Sequence, residues 1–138
     1  MTPGDRHLVV LVGAGSLVGG TLRYLLALPW LAQPVDSFPW GTLLANVIGC
    51  LLIGFWFGLS SAGRGWYASK RVQAAVMAGV CGGLTTFSVF SLETLLLVEA
   101  GRWALAGSYV AGSLLLWLAM VWMGYAGGRF LGDKPSEK

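Results

Sequence analysis

Gly82-Gly83-Leu84-Thr85-Thr86-Phe87-Ser88-Val89-Phe90-Ser91 lies in the middle of an apolar segment spanning residues 72–98. Paired glycines and a run of hydroxyl residues are poor choices for a helix that only faces lipid. Hydrocarbon offers no hydrogen bonds, so irregular backbone at that depth must be buried in protein or line a polar cavity. The stretch predicts a helix broken near its middle, with an ion site at the break.

Three more apolar segments flank it, at residues 8–28, 40–59 and 103–131. Each reaches the ~20 residues needed to cross the hydrocarbon core. The chain therefore reads as an all-α membrane protein of four transmembrane helices, one domain over residues 1–138. Pro29 and Pro34 stop the first span, Ser37 is the expected N-cap of the second with Pro39 in its first turn, and Gly132 is the expected C-cap of the fourth. Arg6 and His7 precede the first span as they would a secretory signal, but no small-x-small cleavage pattern follows, so the segment is read as retained. With 56% hydrophobic and 11% charged residues, a soluble fold of this size is excluded. Trp30, Trp40, Trp103 and Tyr125 fall near span ends, where interfacial aromatics belong.

Four spans put both termini on one side. Arg6, Arg64, Lys70, Arg71, Arg129, Lys134 and Lys138 lie on that side, against Arg23 and Arg102 on the other. This favours cytoplasmic termini in a plasma membrane, the inner membrane of a prokaryote, and it reads as topology control rather than nucleic-acid binding. Small-xxx-small pairs recur at Gly15/Gly19, Ala45/Gly49, Gly54/Gly58, Gly79/Gly83 and Gly124/Gly128. So many close-contact faces suggest tight packing and a further subunit. Cys50 and Cys81 have no metal-ligand or CxxC spacing and read as small buried residues.

No enzyme constellation is present: His7 has no acidic partner at a useful spacing, and no base or nucleophile stands beside Glu93 or Glu99. What remains are uncharged polar groups at membrane depth. Asn46 is either an interhelical packing bond or an N–H donor facing an anion path. Phe87 and Phe90, three apart, share a face and either fill the core or present positive ring edges to a small anion. Thr86, Ser88, Ser91 and Thr94 add hydroxyls that either serve an ion or bond back to their own helix. Tyr109, Ser113 and Trp117 recur every four residues, a stripe that suits a lumen or a subunit contact equally well. Glu93 is costly to leave unpaired in a membrane. Unwinding at Gly82-Gly83 would free carbonyls for a cation such as sodium, while a helix starting near Thr86 would point its positive end into the break.

Taken in order, these residues resemble the Fluc/CrcB family of fluoride channels over nearly the whole chain. The resemblance is carried by Gly19-Gly20-Thr21-Leu22-Arg23-Tyr24, by Gly41-Thr42-Leu43-Leu44-Ala45-Asn46, by the long run from Gly79 to Glu93, and by Tyr109 with Ser113. It implies a fluoride-selective passive channel that exports fluoride accumulated as HF, working as an antiparallel dimer with two pores between the subunits. By position, Asn46, Phe87 and Phe90 would line the fluoride path with Thr86 and Ser88 beside them, and Tyr109 and Ser113 would contribute from the fourth span. Gly82 and Thr85 would offer backbone carbonyls to a structural sodium ion that is not transported. Arg23 would stand at a vestibule, and Glu93 beside the polar track. The partners implied are fluoride, membrane lipid and a second subunit.

Two departures bear on these expectations. The uneven loop charge leaves a homodimer and a heterodimer with an oppositely oriented homologue both open. Val89 stands where the family more often has a hydroxyl residue. The competing functional class is a small proton-coupled exporter of organic cations, for which Glu93 would be the proton-carrying carboxylate.

Overall fold

The apolar runs fold as helices, and their ends follow from local chemistry. The computed structural model describes residues 3–34, 36–61 and 65–133, so Arg64, Lys134 and Lys138 of the charge asymmetry lie outside the described residues. Helix α1 runs Pro3–Ala27 and tightens into a single 3₁₀ turn, Leu28–Trp30, at Pro29. Helix α2 runs Trp40–Ser61. The expected cap at Ser37 does not form. Its Oγ donates to Gln33 Oε1 at 3.2 Å, and the first turn is closed instead by the Leu43 N–H on the Pro39 carbonyl at 3.2 Å. Proline has no N–H to lose at that position, which is why it starts the helix well.

The third span is built in two pieces. It begins as α-helix at Lys70–Gln73, widens into a π-helical stretch at Ala74–Cys81 and returns to α-helix at Gly82–Leu84; residues 70–84 are α3. After it Thr85 is extended (φ −82°, ψ 153°), and helix α4 starts at Ser88 and ends at Glu99. The break therefore occupies residues 85–87, and Gly82-Gly83, the expected point of unwinding, stay helical. Helix α4 closes with Gly101 at φ 74°, where the Gly101 N–H bonds the Val98 carbonyl (3.0 Å) and the Arg102 N–H the Leu97 carbonyl (2.8 Å). This is a Schellman stop, and its left-handed residue favours glycine. Helix α5 runs Trp103–Gly132, with Asp133 rather than Gly132 as its C-cap. Four segments, Arg6–Trp30, Trp40–Ser61, Lys70–Glu99 and Trp103–Gly132, are long and apolar enough to cross a membrane.

The glycine pairs explain how the helices associate. A Cβ on Gly15, Gly19 or Gly83 would strike backbone across the α1–α3 contact: Ala75 and Gly79, Val80 and Leu84, and Ser16 respectively. On the other side, Gly54 and Gly58 abut the Val121 and Tyr125 carbonyls, while Gly124 and Gly128 abut those of Leu51 and Phe55. Residue numbers rise together in both contacts, so α1 lies parallel to α3 and α2 parallel to α5. The small-residue faces that suggested a further subunit are thus largely consumed inside one chain. They let backbones meet where no hydrophobic force separates helix from lipid.

The break moves the third span from one pair to the other. Residues 70–84 pack on α1, whereas α4 packs on α5 and α2. Leu43, Phe90, Leu97, Ala106 and Tyr109 form the buried cluster that α4 shares with α2 and α5.

Candidate functional site

The break is held by one side chain from the neighbouring helix. The Thr86 N–H donates to Asn46 Oδ1 at 2.7 Å, and Asn46 Nδ2 donates to the Thr86 carbonyl at 2.9 Å, with both residues buried. A carboxamide matches a peptide group donor for acceptor, so Asn46 supplies what the interrupted helix cannot. The neighbouring hydroxyls complete the joint. Thr85 N–H and Oγ1 both bond the Cys81 carbonyl (3.0 and 2.9 Å), and Thr86 Oγ1 accepts the Val89 N–H at 3.3 Å, as a capping threonine does. Thr86 Oγ1 also lies 3.3 Å from Ser88 Oγ. Ser91 and Thr94 bond back to the Phe87 and Phe90 carbonyls (2.9 and 2.8 Å), the use that hydroxyls in a helix most often find.

Two consequences concern carbonyls. Because the Thr86 N–H turns to Asn46, the Gly82 carbonyl loses the donor that would have closed its helical bond. Gly82 is exposed on the surface of the subunit, with only the Met77 carbonyl within 4 Å of where its Cβ would be. The Thr85 carbonyl instead accepts from Arg23 Nη1 at 3.3 Å. Arg23 is thus placed against the break itself.

One helical turn toward the start of α2, a second polar group forms. Thr42 Oγ1 donates to Glu93 Oε1 at 2.7 Å and Tyr109 Oη to Glu93 Oε2 at 2.8 Å. Each carboxyl oxygen has its own donor, one from α2 and one from α5. That meets the requirement that an acid at membrane depth be partnered. Thr42 has no charge or unusual spacing to mark it in the sequence; the one signal is that it stands one turn before Asn46 on the same face.

The aromatic residues divide. Phe90 is 5% exposed, with its ring centroid 5.0 Å from Tyr109 and 4.9 Å from Trp117, the latter edge-on at 66°. Phe87 is 69% exposed and lies 5.6 Å from Phe90 at 44°. The stripe Tyr109–Ser113–Trp117 faces inward: Tyr109 and Ser113 are buried, and Trp117 packs on Phe90. Ser113 Oγ and Trp117 Nε1 are buried with no hydrogen-bond partner among the described residues. Uncommitted donors inside a protein are uncommon enough to call for an explanation.

Two cavities meet this line of groups. One of about 210 Å³ lies under the loop before α2 and reaches Thr42 and Glu93, with Trp30, Gln33 and Phe38 in its wall. Another of about 270 Å³ is lined by Asn46, Cys81, Gly82, Thr86, Phe87 and Trp117. The Asn46–Thr86 pair lines the second cavity, one turn along α2 from the Thr42 that holds the carboxyl group. Among the described residues no three metal-ligating His, Cys, Asp or Glu side chains come together. The arrangement places a carboxyl group whose oxygens are both hydrogen-bonded, a carboxamide paired with a peptide group, and the unpartnered Ser113 Oγ and Trp117 Nε1 along one line at membrane depth.

Residues 10–125 match the family described as CrcB-like protein, Camphor Resistance (CrcB). The chain is 41% identical over 121 residues to the fluoride-specific ion channel FluC of Paramagnetospirillum magneticum, covering 88% of this chain and 94% of that one. It is 45% identical over 114 residues to FluC 1 of Bradyrhizobium diazoefficiens (83% and 79%). It is 40% identical over 124 residues to FluC of Nitratidesulfovibrio vulgaris (89% and 98%).

Proposed function

The chain belongs to the CrcB-like family, and on that premise we propose that it is a fluoride-selective passive channel, a multi-pass protein of the cell membrane that lets fluoride leave the cytoplasm. The observation that carries this reading is the series of polar groups from Glu93 through Asn46 and Thr86 to Phe87, set in a chain whose relatives are fluoride-specific channels. The flux is driven by the electrochemical gradient alone.

In this reading fluoride passes Asn46, whose second Nδ2 hydrogen is left over after the pairing with Thr86, and then the ring edges of Phe87 and Phe90. Ser113 Oγ supplies an unspent hydroxyl, and the Thr86 and Ser88 hydroxyls, 3.3 Å apart, flank Phe87 in the chain. Tyr109 acts through Glu93, to which its hydroxyl is committed.

A second subunit completes the pathway. Phe87, Ser88 and Gly82 are exposed at the break, and irregular backbone at membrane depth needs protein cover. An antiparallel arrangement would bring two such breaks together, whether the partner is a second copy or an oppositely oriented homologue. Sodium would sit between them. The Gly82 carbonyl, freed from its helix, suits a hard monovalent cation. The Thr85 carbonyl has a second lone pair beside the one facing Arg23. When bound, the ion would supply fixed positive charge at the break.

Purified protein in lipid vesicles loaded with potassium fluoride or potassium chloride tests the function. Release of fluoride with chloride retained is the expected result, and equal release of both would sink the reading. The organic-cation exporter is not supported, since the relatives are fluoride-specific channels and both oxygens of Glu93 are occupied by neighbouring hydroxyls.

A further inference from the structure

A groove of about 520 Å³ opens between the first turns of the two parallel helices α1 and α3, away from the fluoride pathway. It is lined by Arg6, His7, Val10 and Leu11 of α1 and by Arg71 of α3. Residues four apart stack along a helix, so Arg6 stands above Val10 and His7 above Leu11. The groove is therefore basic at its mouth and apolar one turn further in. Arg6, His7 and Arg71 are exposed, and Val10 and Leu11 are 68% and 40% exposed. No acidic side chain lines it among the described residues.

Its depth matters as much as its charge. Arg6 is the first residue of the first span, and Lys70 and Arg71 open the third. The basic mouth thus lies at the level of lipid headgroups and the apolar part at the level of the first acyl carbons. A single interfacial arginine extends to water by itself. Two arginines converging from separate helices over a shared apolar floor form a complement to an amphiphile with an anionic head.

We propose that this groove binds one anionic phospholipid of the adjoining leaflet, its phosphate between Arg6 and Arg71 and the start of an acyl chain along Val10 and Leu11. Arginine suits the role because its planar fork meets two phosphate oxygens at once, and basic pockets between helices at a membrane face are recognised lipid sites. The inference is independent of which ion the channel carries.

The test uses the full chain purified in detergent and supplied with equal amounts of phosphatidylglycerol, phosphatidylcholine and diacylglycerol, with retained lipid read by native mass spectrometry. Phosphatidylglycerol should be retained in large excess over the other two. Arg6→Gln with Arg71→Gln should cut that preference by roughly thirtyfold, the order expected for removing two charges near an anionic lipid. The charge-keeping pair Arg6→Lys and Arg71→Lys should preserve most of it. Arg129→Gln, at the same membrane face but already bonded to Tyr125 and Asp133, should leave it intact. Equal retention of the three lipids by the unaltered protein would overturn the proposal without recourse to any variant. So would loss in Arg129→Gln equal to that in the double glutamine variant. Complete displacement of phosphatidylglycerol by millimolar inorganic phosphate would reassign the groove to free phosphate and overturn the lipid. Fluoride release by the double variant, measured in parallel, should be retained and reports on the channel separately.

Discussion

Asn46 and the Thr86 peptide unit form a closed pair, with Thr86 N–H on Asn46 Oδ1 at 2.7 Å and Asn46 Nδ2 on the Thr86 carbonyl at 2.9 Å. One side chain on α2 thereby takes the place of two helical bonds missing from the third span. The break can exist at membrane depth because of it.

Replacing Asn46 should therefore damage shape and flux together. Asn46→Ala strands a buried donor and a buried acceptor, at about 1–3 kcal/mol for each group left unpaired. Asn46→Asp keeps the acceptor for the Thr86 N–H but sets a carboxylate oxygen against the Thr86 carbonyl. Both variants should lower the unfolding midpoint in detergent, and Asn46→Asp should slow fluoride release from vesicles by at least about tenfold. That is a loss of about 1.4 kcal/mol in the rate-limiting barrier. A variant with unchanged midpoint and flux would remove Asn46 from both roles.

Phe87 and Phe90 are adjacent rings with opposite surroundings, and their substitutions should separate. Phe90→Ala opens a hole between Tyr109 and Trp117 and should cost about 3–5 kcal/mol of stability. Phe87→Ile, at a side chain 69% exposed in the subunit, should leave the fold of the subunit near its native stability while sharply reducing fluoride release. Thermal unfolding alongside vesicle efflux distinguishes the two, and similar stability losses for both would contradict the assignment.

Gly124 and Gly127 are three residues apart on α5 and meet different surroundings. A Cβ at Gly124 would enter the Leu51 carbonyl, whereas at Gly127 nothing lies within 4 Å. Gly124→Ala should push α2 and α5 apart and reduce the yield of folded protein severely. Gly127→Ala should be tolerated by the subunit, with a gain of up to about 1 kcal/mol from helix propensity. Size-exclusion profiles of the two variants provide the comparison. Equal behaviour would mean the α2–α5 contact is looser than its backbone spacing implies.

Arg23 and the sodium ion proposed at Thr85 would draw on one carbonyl. Arg23 Nη1 lies 3.3 Å from the Thr85 oxygen, and two positive charges at one acceptor repel. Arg23→Gln should raise the affinity for sodium several-fold, seen as a lower sodium concentration for half-maximal thermal stabilisation. An unchanged or weakened sodium response would separate Arg23 from the cation site.

Much of this architecture is legible in the chain. Residues 72–98 read as one span interrupted by polar residues, because hydrocarbon cannot hydrogen-bond exposed backbone. The small-xxx-small pairs correctly marked close backbone contacts, but not their partners. Gly15 with Gly79 and Gly54 with Val121 are neighbours on different helices of the one chain, which no spacing within one helix reveals. The break falls a few residues beyond the paired glycines. Gly82 and Gly83 carry low helix propensity, yet Gly83 is helical because its missing side chain lets α1 approach at Ser16. The chain departs from helix at Thr85–Phe87, where Asn46 can reach it.

Sequence alone determined the four spans, the interruption in the third and the membrane setting, since each depends on polarity along a line of residues. Tertiary structure decided the partners: Asn46 with Thr86, Glu93 with Thr42 and Tyr109, Arg23 with Thr85. These pairs join residues 16 to 62 positions apart. A hydrogen bond at ~2.7–3.2 Å depends on where two helices lie to within a fraction of an ångström, and that is settled only when the glycine faces have brought the helices together.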